Sequence, residues 1–262
     1  MKNSSSGSSL KAILPPTATG LGIVALWEGY TRGFDIDPLL LPSPTAVLSF
    51  LFANLQLFLK HSISTLSVIS GGFAMGALCG LSLGVAMHAS SLVRRASYPW
   101  LVASQMVPIP AIAPILLLWL GFTIWPKLIV VALICFFPVA VNTVDGLRQI
   151  DRECIDLLKT FKASKRQLLL FAALPAALPA VFSGFRVAMA LAVIAAVFGE
   201  WVGARSGLGQ LMLAYNNQTR TDGLFAAVGV LATLGIGLFF LVGWLERKLL
   251  PWRRLTENSE SP

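Results

Sequence analysis

The chain has 262 residues, of which 56% are hydrophobic and only 12% charged, about half the charged share of a soluble domain. Its mean hydropathy is +0.76, more apolar side chain than a soluble fold of this length can bury. Composition also excludes disorder, collagen and a disulfide scaffold, which leaves an integral membrane protein with lipid as its solvent.

A bilayer core takes about 20 apolar residues per helical span, so the chain has room for roughly six spans with short loops. Residues 1–11 are polar and read as a disordered cytoplasmic tail. The first span runs from Ala12 to about Tyr30, is short, and is broken near its start by Pro15 and Pro16. The loop Leu41-Pro-Ser-Pro44 follows, then a stretch, Ala46 to Leu59, too short to be a confident span. The second span is about Ile63 to Met87, the third Tyr98 to Leu120 and the fourth Leu128 to Val144. A basic segment, 148–174, joins it to the fifth span, Leu178 to Trp201. The sixth, Gly223 to Leu245, carries no charge, and residues 251–262 form a tail. The expected fold is therefore all-α, with six transmembrane helices in one membrane domain, 12–250.

The net charge of +8 is read first as a topology signal, because Lys and Arg collect in cytoplasmic loops. On alternate segments the basic residues divide fourteen to five, with Arg186 inside a span. That division puts both termini in the cytoplasm and supports an even number of spans. No nucleic-acid partner is expected. The three cysteines have no metal or disulfide spacing. His61 and His88 stand apart near the ends of the second span, so no metal is expected.

Within the spans, Gly72, Gly76, Gly80 and Gly84 recur every four residues. They make an inclined stripe along which another helix backbone can approach closely. In the third span, Met106 precedes Pro108, Pro110 and Pro114. Each proline removes a backbone donor. Either a kinked helix flanks a water-filled path, or the kink only fits neighbouring helices. Arg186, inside the fifth span, must face protein, water or headgroups. It is read either as snorkelling or as part of an ion pair. Glu200 sits some 21 Å away along the same helix, at 1.5 Å per residue, and cannot be its partner. Glu200 is read as an outer-mouth residue or a solvated end charge. These residues, from Met106 to Glu200, are the candidates for a translocation path.

The segment after the fourth span carries most information. Asp151 and Glu153 suit the positive end of a helix. Ile155, Leu158 and Phe161 follow at three-residue steps on one side. A turn is expected at Lys162-Ala163, and Ser164-Lys165-Arg166-Gln167 reads as a capping box that starts a second helix. Such an amphipathic helix can lie on anionic lipid or enter a groove of a cytoplasmic partner.

The run Asp156-Leu157-Leu158-Lys-Thr-Phe161-Lys162-Ala163-Ser164, followed by Leu174-Pro175 and Leu178-Pro179, resembles the cytoplasmic coupling loop of the membrane subunits of binding-protein-dependent ABC importers. Asp156 replaces the family's glutamate, Leu157 and Leu158 its two alanines, and Lys162 its glycine. A non-glycine residue in a left-handed turn costs about 1–2 kcal/mol, which implies an altered turn or weaker docking. Leu41-Pro-Ser-Pro44, Pro108 to Pro114, Trp119-Leu-Gly121, Gly199-Glu200, Gly207-Leu-Gly209 and Leu245 to Trp252 are similar to the nitrate/sulfonate/taurine branch. Cys135 to Pro138 and Asn142 to Gly146 look closest to permeases for pyrimidine precursors of thiamine.

The resemblance implies a permease subunit with a cytoplasmic coupling helix between helices 4 and 5, in the inner or plasma membrane. It implies a second permease copy, an extracytoplasmic solute-binding protein and two ATP-binding cassette subunits, each receiving the loop from Ile155 to Ser164. The chain has no Gly-Lys dipeptide, hence no phosphate loop. ATP and Mg are accordingly expected on the partner ATPase, no cofactor on this chain, and no enzymatic activity here. The alternative is an ion-coupled secondary transporter. That class wants inverted repeats and paired midplane ionisable groups, and neither is apparent.

Overall fold

The computed structural model describes residues 5–150 and 152–251. Among them the only regular structure is helical. By chain contacts it divides into two compact units, Met1–Leu59 with Leu211–Gly229, and Lys60–Gln210 with Val230–Pro262.

In the first unit, α1 (Ser5–Gly33) starts inside the stretch expected as a disordered tail, because extending a formed helix costs far less than nucleating one. The Leu41-Pro-Ser-Pro44 run starts α2 (Pro44–Ala53): Ser43 is the N-cap and accepts from the Ala46 amide, and Pro44 fills a first-turn position that needs no donor. Glu28 holds this corner. Its Oε2 accepts from the Thr45 amide at 3.0 Å, and its Oε1 accepts from the Thr45 hydroxyl at 2.8 Å. Phe50, Phe58 and Tyr215 pack as an aromatic cluster. Arg220 caps it, with its guanidinium 4.6 Å from the Phe50 ring centre.

The second unit is built on close helix contacts. The glycine stripe of α3 (Leu55–Ala89) lies on α6 (Trp125–Arg148). A Cβ on Gly76 would stand 2.5 Å from the Ala132 carbonyl oxygen, and one on Gly80 would stand 2.8 Å from that of Phe136. Gly72 faces Val131, and Gly84 faces Thr143. The opposite side of α6 meets α9 (Leu174–Trp201) in the same way, with Gly146 against Ala177 and Gly184 against Pro138. In membranes, where lipid is as apolar as leucine, such backbone approach supplies the packing. Val130, Val131, Cys135, Ala188, Ala192 and Ala195 are fully enclosed between these helices.

Length and composition make α3, α6, Arg166–Trp201 and α11 (Thr221–Leu249) candidate spans. A bent pair makes a fifth at most. By that test four or five of the expected six stand out among the described residues. α1 falls short because Pro15, Pro16, Thr17, Thr19, Gly20 and Gly22 dilute its apolar stretch, and Glu28 and Arg32 close it. The third expected span, Tyr98 to Leu120, is not one rod. It is α4 (Ser91–Ala103), a 3-10 turn (Ser104–Met106) and α5 (Ile109–Leu120), bent by 97°. Pro108 and Pro110 cannot donate to the preceding turn, so the helix ends and restarts there. α5 stops at Gly121, whose φ of +69° suits a residue without Cβ.

Candidate functional site

The excursion between α6 and α9 is a helix, a left-handed turn and a capped restart. α7 covers Arg152–Thr160. Lys162 takes φ +56°. Its amide donates to Lys159 O at 2.8 Å, and the Ala163 amide donates to Leu158 O at 3.0 Å. This pair of bonds is a Schellman closure, with a lysine where glycine is usual. The turn is thus formed, and the backbone strain falls on Lys162. The Ser164 amide donates to Gln167 Oε1 at 2.8 Å, and the Gln167 amide donates to Ser164 Oγ at 3.3 Å. These are the two reciprocal bonds of a capping box. Beyond α8 (Lys165–Leu168), residues Leu169–Ala173 widen into a π turn, which accommodates Pro175, a residue unable to donate to the turn before it.

The exposed face of α7 differs from the one read at three-residue steps. Leu157 is 59% and Phe161 75% exposed, whereas Ile155 and Leu158 are half-buried. On a helix, steps of three drift backwards by about 60° each, while positions four apart stay on one face. Leu157 and Phe161 therefore form the outward apolar pair. Asp156 is exposed and pairs with Lys159 at 3.0 Å. Asp151 lies outside the described residues.

The candidate path residues fall in three places. Met106 and the prolines 108, 110 and 114 are exposed along the broken helix pair. Arg186, on α9, meets a partner the sequence reading missed. Its Nη2 lies 2.6 Å from Glu246 Oε2 on α11, and the Glu246 side chain is only 5% exposed. Gly243 makes room, since a Cβ there would come within 3.2 Å of the guanidinium. Arg186 Nε is buried without an acceptor. An arginine inside a span demands a counter-ion, and that demand was the available signal for Glu246.

Glu200 is not a solvated end charge: it is 1% exposed. Its Oε1 accepts from the Thr65 hydroxyl at 2.8 Å, and its Oε2 accepts from the Gly209 amide at 2.7 Å. Thr65 Oγ1 in turn accepts from the Leu208 amide at 2.7 Å, at the start of α10 (Leu208–Asn217). His61, read as an interfacial histidine, is also buried, with Nδ1 2.8 Å from Gly207 O. Gly207 has φ +132°, and a Cβ on it would overlap the Glu200 carboxylate. The Gly199-Glu200 and Gly207-Leu-Gly209 motifs are thus two halves of one buried hydrogen-bonded junction that also holds α3.

The fold and these junctions define an all-helical membrane protein with several apolar helices. The family described as "Binding-protein-dependent transport system inner membrane component" matches residues 72–251, and the chain belongs to this family of ABC importer permeases. It is 42% identical to the formylaminopyrimidine transport permease protein ThiX of Halalkalibacterium halodurans, over 92% of this chain and 96% of that one. It is 36% identical to the riboflavin transport system permease protein RibX of Chloroflexus aurantiacus, over 88% and 87% of the two chains. With the putative aliphatic sulfonates transport permease protein SsuC of Bacillus subtilis it shares 32% identity, over 95% and 90%. A chain of the MetNI methionine ABC transporter, in an inward-facing conformation, shares the fold with a TM-score of 0.64 at 17% identity, covering 76% of this chain and 97% of that one.

Proposed function

We propose that the chain, paired with a second copy, forms the solute path of an ABC importer and is driven by two separate ATPase subunits that carry ATP and Mg. The observation that carries this reading is the outward apolar pair, Leu157 and Phe161, on a short helix closed by a left-handed turn and a capping box. An exposed apolar pair flanked by Asp156 and Lys159 suits the groove of a cytoplasmic partner. Residues Ile155 to Ser164 then act as the lever through which ATPase closure moves the spans. The 14 to 5 division of basic residues supports cytoplasmic termini, with α1 and the bent pair completing six membrane crossings. An extracytoplasmic binding protein delivers the solute.

The solute in this reading is a small polar organic molecule, with a pyrimidine precursor favoured over sulfonates, taurine or nitrate. Identity of 42% over nearly the full length to a formylaminopyrimidine permease supports that preference. Two experiments test the proposal. Leu157→Asp with Phe161→Asp should abolish co-purification of the ATPase while membrane insertion persists; undiminished recovery of the complex would refute docking. In proteoliposomes, uptake of a formylated aminopyrimidine should require the ATPase, ATP and the binding protein. Uptake by the lone chain on an ion gradient would instead establish a secondary transporter.

A further inference from the structure

The ends of three candidate spans converge beside the coupling segment on a cavity of about 610 Å³, within the range of about 300–1,000 Å³ typical of ligand pockets. Arg148, at the end of α6, and Arg166, at the start of the long span to Trp201, both line it, with His88 from the end of α3. Among the described residues, no carboxylate lines the cavity and neither arginine has an ion-pair partner. The rest of the lining is apolar and includes Leu147, Leu169 and Ala173, of which Leu147 is fully buried.

We infer that this cavity is a binding site for an anionic phospholipid. The reasoning starts from depth. Three spans end at its rim, so it sits at the level where the hydrocarbon core gives way to headgroups. Two guanidinium groups line it, neither ion-paired among the described residues, and each is a planar donor suited to a phosphodiester. The apolar wall then has a use that a free phosphate would leave unfilled, because it accepts the first carbons of an acyl chain. Basic pockets between spans on the cytoplasmic side hold anionic headgroups in this manner. The placement on that side rests on the orientation proposed above. A lipid so bound touches Ile155 of α7 as well as the span ends, and thereby stiffens the joint between the coupling helix and the spans.

The test uses the full chain purified with its ATPase, loaded with phosphatidylglycerol, cardiolipin or phosphatidylcholine, and read by native mass spectrometry. The two anionic lipids are expected to be retained and phosphatidylcholine lost. Arg148→Gln with Arg166→Gln should weaken retention roughly thirtyfold, while the corresponding Lys pair keeps most of it. On the wild-type chain, a photoactivatable phosphatidylglycerol should label peptides within 147–173, a measurement independent of how the variants fold. Equal retention by wild type and the Gln pair, labelling confined to other segments, or displacement of the lipid by millimolar inorganic phosphate would each overturn the proposal. The last of these would mark a soluble-anion site. None of these readouts requires transport, so their failure leaves the permease reading standing.

Discussion

Arg186 and Glu246 join α9 to α11 through a 2.6 Å ion pair, and the two residues are 60 positions apart in the chain. The carboxylate is nearly enclosed while the guanidinium side chain keeps 38% of its surface exposed. The pair is therefore asymmetric, and the acid depends on the arginine more than the arginine depends on the acid.

Arg186→Met should destabilise the protein by about 2 kcal/mol, less than the 3–5 kcal/mol for a fully buried pair, because one partner is partly solvated. Arg186→Met combined with Glu246→Leu should recover most of that loss. Thermal melting of the purified protein in detergent, read as a double-mutant cycle, checks both values.

Thr65→Val should cost about 1–3 kcal/mol, since it removes the donor to Glu200 and the acceptor for the Leu208 amide together. Gly207→Ala should be worse. Its Cβ overlaps the Glu200 carboxylate, and the backbone holds φ +132°. Fluorescence-detected size exclusion of both variants should show a monodisperse Thr65→Val and a largely aggregated Gly207→Ala.

Lys162→Gly should stabilise the turn by about 1 kcal/mol, because a left-handed conformation no longer carries a Cβ. The reading is hydrogen exchange at Lys162 and Ala163 in the wild type and at the same amides in the variant. Their donation to Lys159 O and Leu158 O should be protected roughly fivefold longer in the variant. Unchanged exchange would show that the strain at Lys162 is relieved elsewhere.

Gly76→Val should cost about 3 kcal/mol through overpacking, as its side chain would strike the Ala132 carbonyl of the facing helix. Gly237→Ala is the control. It has nothing within 4 Å, so its melting temperature should stay within about 2 °C of the parent's.

Much of the site was legible where the signal is local. The four-residue glycine period predicts a stripe because helix geometry puts those positions on one face. Ser164 and Gln167 predict a capping box because the bonds involved close within one turn. Leu157 was less legible, since steps of three and steps of four select different faces and only packing chooses between them. Glu246 was hidden by its neighbours, as Leu245-Glu-Arg247-Lys248 looks like an ordinary charged helix end.

Composition, hydrophobic runs and the distribution of Lys and Arg were enough, without coordinates, to indicate a helical membrane protein, because the bilayer imposes length and polarity on every segment independently. Which helix bends, which carboxylate is enclosed and which cation it meets were decided only in three dimensions. Glu200 shows why: a charged residue at a helix end is solvated by default, and it becomes buried only when a threonine 135 positions away and a glycine amide nine positions on arrive to replace its water.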